Sequence, residues 1–179
     1  PTSIAGVGSG SSDHFDFSPF GSSPKTVNLY AKLTKTEEAT KIRYLKRFSQ
    51  VAISERKKYG VPSSIILANA LLHSNAGQRN MAQSGNNQFG IPCDANWNGE
   101  NGIYEGTCFR HYQNAWSSFR DHSIYITSGK YKTLRLLGSV DYEAWAGGLE
   151  KAGFSNSKNL GSQLIQIIEN YGLYELDQK

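Results

Sequence analysis

The chain has 179 residues, of which 38% are hydrophobic and 12% aromatic, and its formal net charge at pH 7 is +4. This length fits one domain with a short additional segment, and the aromatic content excludes a wholly disordered chain. The longest apolar runs, such as residues 65–68, are far too short to span a bilayer. The modest positive charge permits an anionic partner but does not indicate nucleic-acid binding.

Residues 1–36 differ in composition from the rest of the chain. They contain four Gly, seven Ser and three Pro, with no helical or alternating pattern. We therefore predict a flexible or extended arm over residues 1–36, followed by one domain over residues 37–179. Four aromatic residues in the arm are either scattered through a flexible tail or dock onto this domain or a protein partner: Phe15, Phe17, Phe20 and Tyr30.

Helical periodicity dominates the remainder. From Thr36 apolar residues recur at three- and four-residue steps until Tyr59-Gly60 ends the run. Residues 63–74 are apolar nearly all round, which predicts a central buried helix. Residues 86–112 are rich in Gly, Asn and aromatics, which is typical of loops and short strands. The pattern predicts a mainly helical α+β domain, with further helices at residues 114–127, 131–137, 141–152 and 158–171.

The positive charge is concentrated on the first long helix. This helix carries Lys41, Arg43, Lys46, Arg47, Arg56, Lys57 and Lys58, against Glu55. Two interpretations remain open: a solvated helix face, or contact with an anionic surface such as a cell-wall polymer or lipid head groups.

Cys93 and Cys108 flank a stretch rich in turn-forming residues. If the chain doubles back there, the two thiols can form a disulfide, worth about 3 kcal/mol in the chain-entropy model and typical of an oxidising compartment. The alternative is a pair of buried reduced cysteines. A zinc site formed by these cysteines with His111 and His122 matches none of the usual ligand spacings, so we predict neither a metal site nor a cofactor.

Polar residues gather after the predicted buried helix. His73 lies near its C-terminal end, and an Asn-Asn-Gln-Phe-Gly-Ile segment begins at Asn86. Aromatic faces stack on sugar rings and amides bond to hydroxyl and acetamido groups, so this arrangement is typical of a sugar cleft. Alternatively, Asn86, Asn87 and Phe89 fasten a loop through side-chain-to-backbone hydrogen bonds. We expect Asp121 and His122 to fasten the following helix to the β-region.

The order of short motifs resembles the glucosaminidase family of peptidoglycan hydrolases. The resemblance covers about residues 41–177 and implies a lysozyme-like fold, with a helical lobe and a small β-hairpin lobe. It also implies a Cys93–Cys108 pair, as in one branch of the family. The matching segments are Gly60-Val61-Pro62, Leu67-Ala68, Asn86-Asn87-Gln88-Phe89-Gly90-Ile91, Trp97-Asn98-Gly99-Glu100, Phe109-Arg110-His111-Tyr112, Ser118-Phe119-Arg120-Asp121-His122 and Ala152-Gly153-Phe154.

The departures from the family pattern fall at its chemistry. His73 stands where the resemblance implies the catalytic Glu, and Asn75 where it implies a Gly. Phe154 and Leu160 stand where it implies Tyr residues that line the cleft. Histidine is a poor proton donor for this reaction because its protonated form is cationic and the transition state is oxocarbenium-like. His73 is therefore a structural residue, a ligand contact or, least favoured, a working acid.

Three hypotheses follow for function. The leading one is a catalytically silent glucosaminidase-like domain in the bacterial envelope, periplasmic, cell-surface or secreted, that binds peptidoglycan or a related glycan or serves as a structural module. The second is an active endo-β-N-acetylglucosaminidase with Glu100 or Glu105 as the remaining carboxylate. The third is a protein-interaction module that uses residues 1–36 and binds no glycan. Predicted glycan contacts are Asn86, Asn87, Phe89, Trp97 and Phe154.

Overall fold

The computed structural model describes residues 28–179, and the predicted mainly helical α+β class is confirmed. Seven α-helices, two 3-10 helices and one two-stranded antiparallel sheet make up this part of the chain. In chain order they are α1 (Leu29–Lys35), α2 (Glu38–Tyr59), α3 (Ser63–Ser74), α4 (Asn80–Gly85), β1 (Asn101–Tyr104), β2 (Thr107–Arg110), α5 (Ala115–Tyr125), the 3-10 helix Gly129–Leu137, α6 (Tyr142–Lys151), α7 (Leu160–Asn170) and the 3-10 helix Leu173–Gln178.

The arm predicted over residues 1–36 ends earlier than expected. Its last part forms α1, which begins at an N-cap where the Asn28 side chain accepts from the Ala31 N–H at 3.0 Å. Leu33 is buried in the main core, so α1 packs as part of the domain. Seven residues with little apolar periodicity gave no helical signal in the sequence. The aromatic residues Phe15, Phe17 and Phe20 lie outside the described residues, and the predicted docking of the arm stays a prediction.

The central helix α3 is buried along its whole length, as the sequence predicted. It packs against α2, α6, α7 and the last 3-10 helix, so nearly every direction around it is occupied. Asp177 caps the N-terminus of α3: its carboxylate accepts a hydrogen bond from the backbone N–H of Ser64 at 2.9 Å. Within residues 28–179, no helix combines the length and apolar character needed to cross a membrane.

A small hairpin lobe interrupts the helices. Strands β1 and β2 pair from Asn101 opposite Arg110 to Tyr104 opposite Thr107. The connecting Glu105 and Gly106 both have positive φ, 50° and 77°, as a tight two-residue hairpin turn requires. The predicted disulfide is confirmed: Cys93 and Cys108 are bonded and fasten the incoming chain to β2.

Arg110, at the end of β2, joins this hairpin lobe to helix α5. Its guanidinium donates to Asp121 on α5 at 3.0 Å and to Asp94 at 2.6 Å, and also to the backbone oxygen of Pro92 at 3.1 Å. The expected role of Asp121 in fastening α5 to the β-region is therefore confirmed. Because Arg110 is almost fully buried, this ion-pair network fixes the position of the hairpin against the helices.

Candidate functional site

A groove of about 1050 Å³ runs between the hairpin lobe and the helical lobe. The hairpin contributes Tyr104, Glu105 and Phe109, and the opposite wall is the loop that connects α6 to α7. The ends of α1, α3 and α4 complete it. The lining is dominated by side-chain amides and hydroxyls: Asn28, Asn75, Gln78, Asn80, Thr107, Ser155, Asn156, Ser157, Asn159 and Gln163.

The charges of the groove are mostly positive. Lys32, Arg79 and Lys158 line it, and Glu105 at the tip of the hairpin is the acidic residue among the lining positions of residues 28–179. The Arg79 guanidinium donates to the backbone oxygen of His73 at 2.9 Å. Burial lowers the pKa of Arg79 and the nearby Glu105 charge opposes that effect. Both side chains line the groove.

His73 lies directly behind the groove. Its neighbours Leu72 and Asn75 line the groove, but the His73 ring does not and is 6% exposed. The ring Nδ1–H donates to the backbone oxygen of Asn69, one helical turn earlier, at 3.0 Å. Burial lowers the pKa of His73 to about 4. A protonated His73 would interact favourably with the C-terminal end of α3, but the neutral ring present at pH 7 makes no such charge interaction.

A second buried histidine lies close to His73. The Asn69 side-chain amide donates to His122 Nε2 at 2.9 Å, since an amide nitrogen can only donate, and this leaves the proton of neutral His122 on Nδ1. Burial, and secondarily the charge His73 would carry, hold the pKa of His122 well below its usual value. Three buried atoms of this cluster have no partner within the described residues: Asn69 Oδ1, His73 Nε2 and His122 Nδ1.

Phe154 closes the histidine pair from the side of the α6–α7 loop. Its ring meets the His73 ring edge-on, with centroids 5.3 Å apart, and the His122 ring edge-on at 5.7 Å. The adjacent Ser155 lines the groove, whereas Phe154 itself is half-buried and does not. Leu160, the other position where the resemblance implies a Tyr, is fully buried in the core.

Two of the predicted glycan contacts are wrong. Asn87 is fully buried and Phe89 is 1% exposed, so neither side chain can reach a ligand. Phe89 stacks on His122 with ring centroids 3.8 Å apart and meets Phe119 edge-on. Asn86 lies outside the groove lining, and its side chain donates to the backbone oxygen of Tyr112 at 2.9 Å. The alternative interpretation, in which side-chain-to-backbone hydrogen bonds fasten a loop, fits Asn86 and Asn87, whereas the Phe89 ring packs in the core.

Asn87 makes four hydrogen bonds to backbone groups, which predicts a large structural effect. Its amide nitrogen donates to Ile91 and Arg110, and its oxygen accepts from Phe89 and Ile91. We expect Asn87→Ala to lower the free energy of unfolding by about 3 kcal/mol, because buried backbone groups lose their partners. Urea titration measures this, with exposed Asn98→Ala as the control, and equal losses in the two variants would refute the assignment.

Two other predicted site residues lie away from the groove. Glu100 is exposed and its backbone oxygen accepts from the indole N–H of Trp97 at 3.0 Å, but neither side chain lines the groove. Trp97 instead lines a second pocket beside α5. The carboxylate in the groove is Glu105, five residues later. Both Glu100 and Glu105 were candidates in the sequence. The sequence did not distinguish them, because the register of the hairpin decides which carboxylate faces the helical lobe.

Comparison with known proteins confirms the family resemblance. The family model for glucosaminidase, described as mannosyl-glycoprotein endo-beta-N-acetylglucosaminidase, matches residues 49–173. The chain is 28% identical to the exo-glucosaminidase LytG of Bacillus subtilis, over 68% of this chain and 48% of that protein. It is 24% identical to the peptidoglycan hydrolase FlgJ of Vibrio cholerae, over 74% of this chain and 45% of that protein. The chain thus spans about half the length of the curated relatives it matches.

Solved structures confirm the lysozyme-like fold. The glycoside hydrolase domain of Salmonella typhimurium FlgJ superposes with a TM-score of 0.60 at 25% identity, covering 75% of this chain and 90% of that one. The catalytic domain of the Listeria monocytogenes autolysin Auto gives a TM-score of 0.66 at 20% identity, covering 79% and 89%. With a family model matching most of its length and a fold shared with these domains, the chain belongs to the glucosaminidase family.

Proposed function

We propose that this domain holds a peptidoglycan-type glycan strand in the groove without cleaving it. Amide and hydroxyl side chains on the α6–α7 loop can bond to sugar hydroxyl and acetamido groups, and Tyr104 and Phe109 offer aromatic surface on the hairpin side. The absence of cleavage is supported by His73, a neutral and inward-facing side chain at the position where the resemblance implies the catalytic Glu.

The chemistry of glycosidic cleavage explains why this matters. A group in the cleft must protonate the leaving oxygen, and a pKa near the working pH makes it effective. With a pKa of about 4, His73 is protonated in about one molecule in a thousand at pH 7. Its ring is also held away from the groove, by the hydrogen bond to Asn69 and the contact with Phe154. His73 therefore acts as a structural residue.

A second candidate function rests on Glu105. This carboxylate lines the groove on a hairpin turn held in a left-handed conformation, so an active glycosidase could use it as a proton donor. It lies on the hairpin side of the groove, away from position 73 at the end of α3, where the resemblance implies the proton donor, and this makes it the weaker candidate.

Location follows from the disulfide and the relatives. The Cys93–Cys108 bond is typical of proteins in oxidising compartments. The relatives include a named peptidoglycan hydrolase, and peptidoglycan lies in the bacterial envelope. We place the protein in the envelope, whether periplasmic, cell-surface or secreted.

Binding and cleavage can be measured separately. We expect chitohexaose to bind in isothermal titration, and purified peptidoglycan sacculi to sediment the protein with no release of reducing ends. The double variant Asn156→Ala/Gln163→Ala should weaken chitohexaose binding about tenfold, since it removes two groove amides. The matched control is Asn170→Ala/Gln178→Ala, which removes two exposed amides elsewhere.

The outcomes distinguish the hypotheses. Equal weakening by both double variants, or no binding of either glycan, would refute the groove as a glycan site. Release of reducing ends by the wild type, abolished by Glu105→Gln, would replace the silent domain with the active enzyme. The glycoside hydrolase domain of Salmonella FlgJ serves as the active control.

A further inference from the structure

The outer face of α2 carries a row of unpaired cations. Five basic side chains are exposed there: Arg43, Lys46, Arg47, Lys57 and Lys58. None of them takes part in an ion pair within residues 28–179, whereas Lys41 pairs with Glu38 at 2.8 Å and Arg56 donates to the backbone oxygen of Ser139. Arg43 donates to the Thr40 hydroxyl at 3.0 Å, so its charge is hydrogen-bonded but not neutralised. The five exposed cations of α2 therefore have no acidic partner within the described residues.

These five cations share one side of the helix. Viewed down the helix axis at 100° per residue, all five positions lie within about 60° of the direction midway between Gln50 and Ser54. The positions are 43, 46, 47, 57 and 58. Arg43 and Lys58 are about 22 Å apart along the helix axis, at 1.5 Å per residue. The cations thus form two groups, one at each end of the row, with Gln50 and Ser54 between them.

An aromatic pocket opens at the middle of this row. It has a volume of about 790 Å³, and Gln50 and Ser54 form one wall. Three aromatic side chains contribute to the rest of the lining: Trp97, Tyr112 and Trp116. Trp116 is 59% exposed, so much of its indole faces solvent. This pocket shares no lining residue with the groove between the lobes.

The acidic side chains of the pocket are already neutralised. Glu55 accepts both branches of the Arg120 guanidinium, with the closest contact at 2.8 Å. Asp121 accepts from Arg110 at 3.0 Å and from the Tyr112 hydroxyl. The field over the pocket is therefore set by the five unpaired cations of α2 and is positive.

From this arrangement we infer that the α2 face and its aromatic pocket form a second binding surface for an anionic polysaccharide. Sugar rings stack on the exposed indole of Trp116, and the amide and hydroxyl groups of Gln50, Ser54 and Asn114 bond to ring hydroxyls. Carboxylate or phosphate groups on neighbouring sugars meet the two groups of cations. A row about 22 Å long suits a polymer of several sugar units better than a small anion.

Two other polyanions are less well matched. Single-stranded nucleic acid also combines rings with phosphates, but the disulfide is typical of oxidising compartments outside the cytosol. An anionic membrane would favour a continuous apolar insertion surface, and here Gln50, Ser54 and Asn114 share the lining with the indole. This surface is independent of the proposed function, because it lies outside the groove.

A binding experiment with a defined probe tests this inference on the full chain. We expect an oligogalacturonate of six units to bind at low salt, and Trp116→Ala to weaken binding about tenfold through lost stacking. The triple variant Lys46→Gln/Arg47→Gln/Lys57→Gln should weaken it at least as much, with the difference shrinking as salt rises. Both sets of side chains are exposed, so the fold should tolerate their removal.

Matched controls separate this surface from general effects of charge and hydrophobicity. Leu136→Ala removes another exposed apolar side chain, and Lys132→Gln/Arg135→Gln/Lys151→Gln removes three exposed cations elsewhere. Both should bind the probe like the wild type. The inference is overturned if Trp116→Ala binds unchanged, if the control triple weakens binding equally, if chitohexaose displaces the probe, or if oligo-dT or phosphatidylglycerol vesicles bind more tightly than the oligogalacturonate.

Discussion

We expect the free energy of unfolding to fall by at least about 2 kcal/mol between pH 7 and pH 5, because of two histidines inside the domain. His73 and His122 are buried, and burial lowers both pKa values, that of His73 to about 4. In the unfolded chain the same imidazoles titrate near their ordinary value of about 6.5. The unfolded chain therefore binds two protons in this range that the folded domain does not bind.

The sign follows from that difference. A group whose pKa is lower in the folded state stabilises the fold above its unfolded pKa, and the stabilisation is lost as pH falls toward the folded pKa. From pH 7 to pH 5 His73 contributes a loss of about 2 kcal/mol, since one pKa unit corresponds to about 1.4 kcal/mol, and His122 adds a loss of the same sign. Most carboxylates remain ionised in this window, so the histidines dominate.

Urea titrations at the two pH values measure the effect. His73→Gln removes one imidazole, and the difference in unfolding free energy between pH 7 and pH 5 should shrink by about 2 kcal/mol. His111→Gln, which replaces a partly exposed histidine bonded to Tyr104 in the hairpin, should leave the difference unchanged. A wild-type domain equally stable at both pH values would contradict the neutral, buried state of the pair.

Much of the helical framework could be predicted because its signals are local. The apolar run from Ser63 to Ser74 indicated a central helix, and α3 has those bounds and is buried throughout. Gly60 and Gly153 mark helix ends, and both adopt positive φ. Helix α4 (Asn80–Gly85) was not predicted, because six residues carry too little periodicity to distinguish a helix from a loop.

The functional site was harder to predict because it depends on turns and long-range contacts. Asn75, Ala76 and Gly77 all have positive φ, and this reversal after α3 brings Arg79 back to the backbone oxygen of His73. Nothing in the local sequence signals that return. Asn87 illustrates the opposite error: an amide in a sugar-cleft motif suggests ligand contact, whereas its four backbone hydrogen bonds show a structural role.

The groove and the histidine pair together suggest how catalysis would be lost while the fold is kept. Where the resemblance implies a carboxylate and a Tyr, this chain has the neutral imidazole of His73 and the ring of Phe154, and the two pack against each other. Burying a neutral imidazole costs far less than burying an ionised carboxylate. The cluster still carries unpartnered polar atoms at Asn69, His73 and His122, as expected where a polar site has become interior.

Restoring both side chains should therefore restore some cleavage. We expect the double variant His73→Glu/Phe154→Tyr to release reducing ends from purified sacculi, where the wild type releases none. The resemblance implies Glu and Tyr at these positions, and a carboxyl group beside the apolar side chains of the cluster has the raised pKa that a proton donor needs. General acid catalysis is worth about two to four orders of magnitude in rate, which sets the largest gain to expect.

Controls decide what this gain means. His73→Gln/Phe154→Tyr keeps the size of the double variant but supplies no proton, so it should stay inactive. The activity should decline as pH rises above the pKa of the new carboxyl group, because the ionised form cannot protonate the leaving oxygen. If the double variant folds, binds chitohexaose and still releases no reducing ends, His73 does not account for the expected absence of cleavage. Glu105 on the short hairpin would then be unable to act as the second carboxylate that the reaction needs.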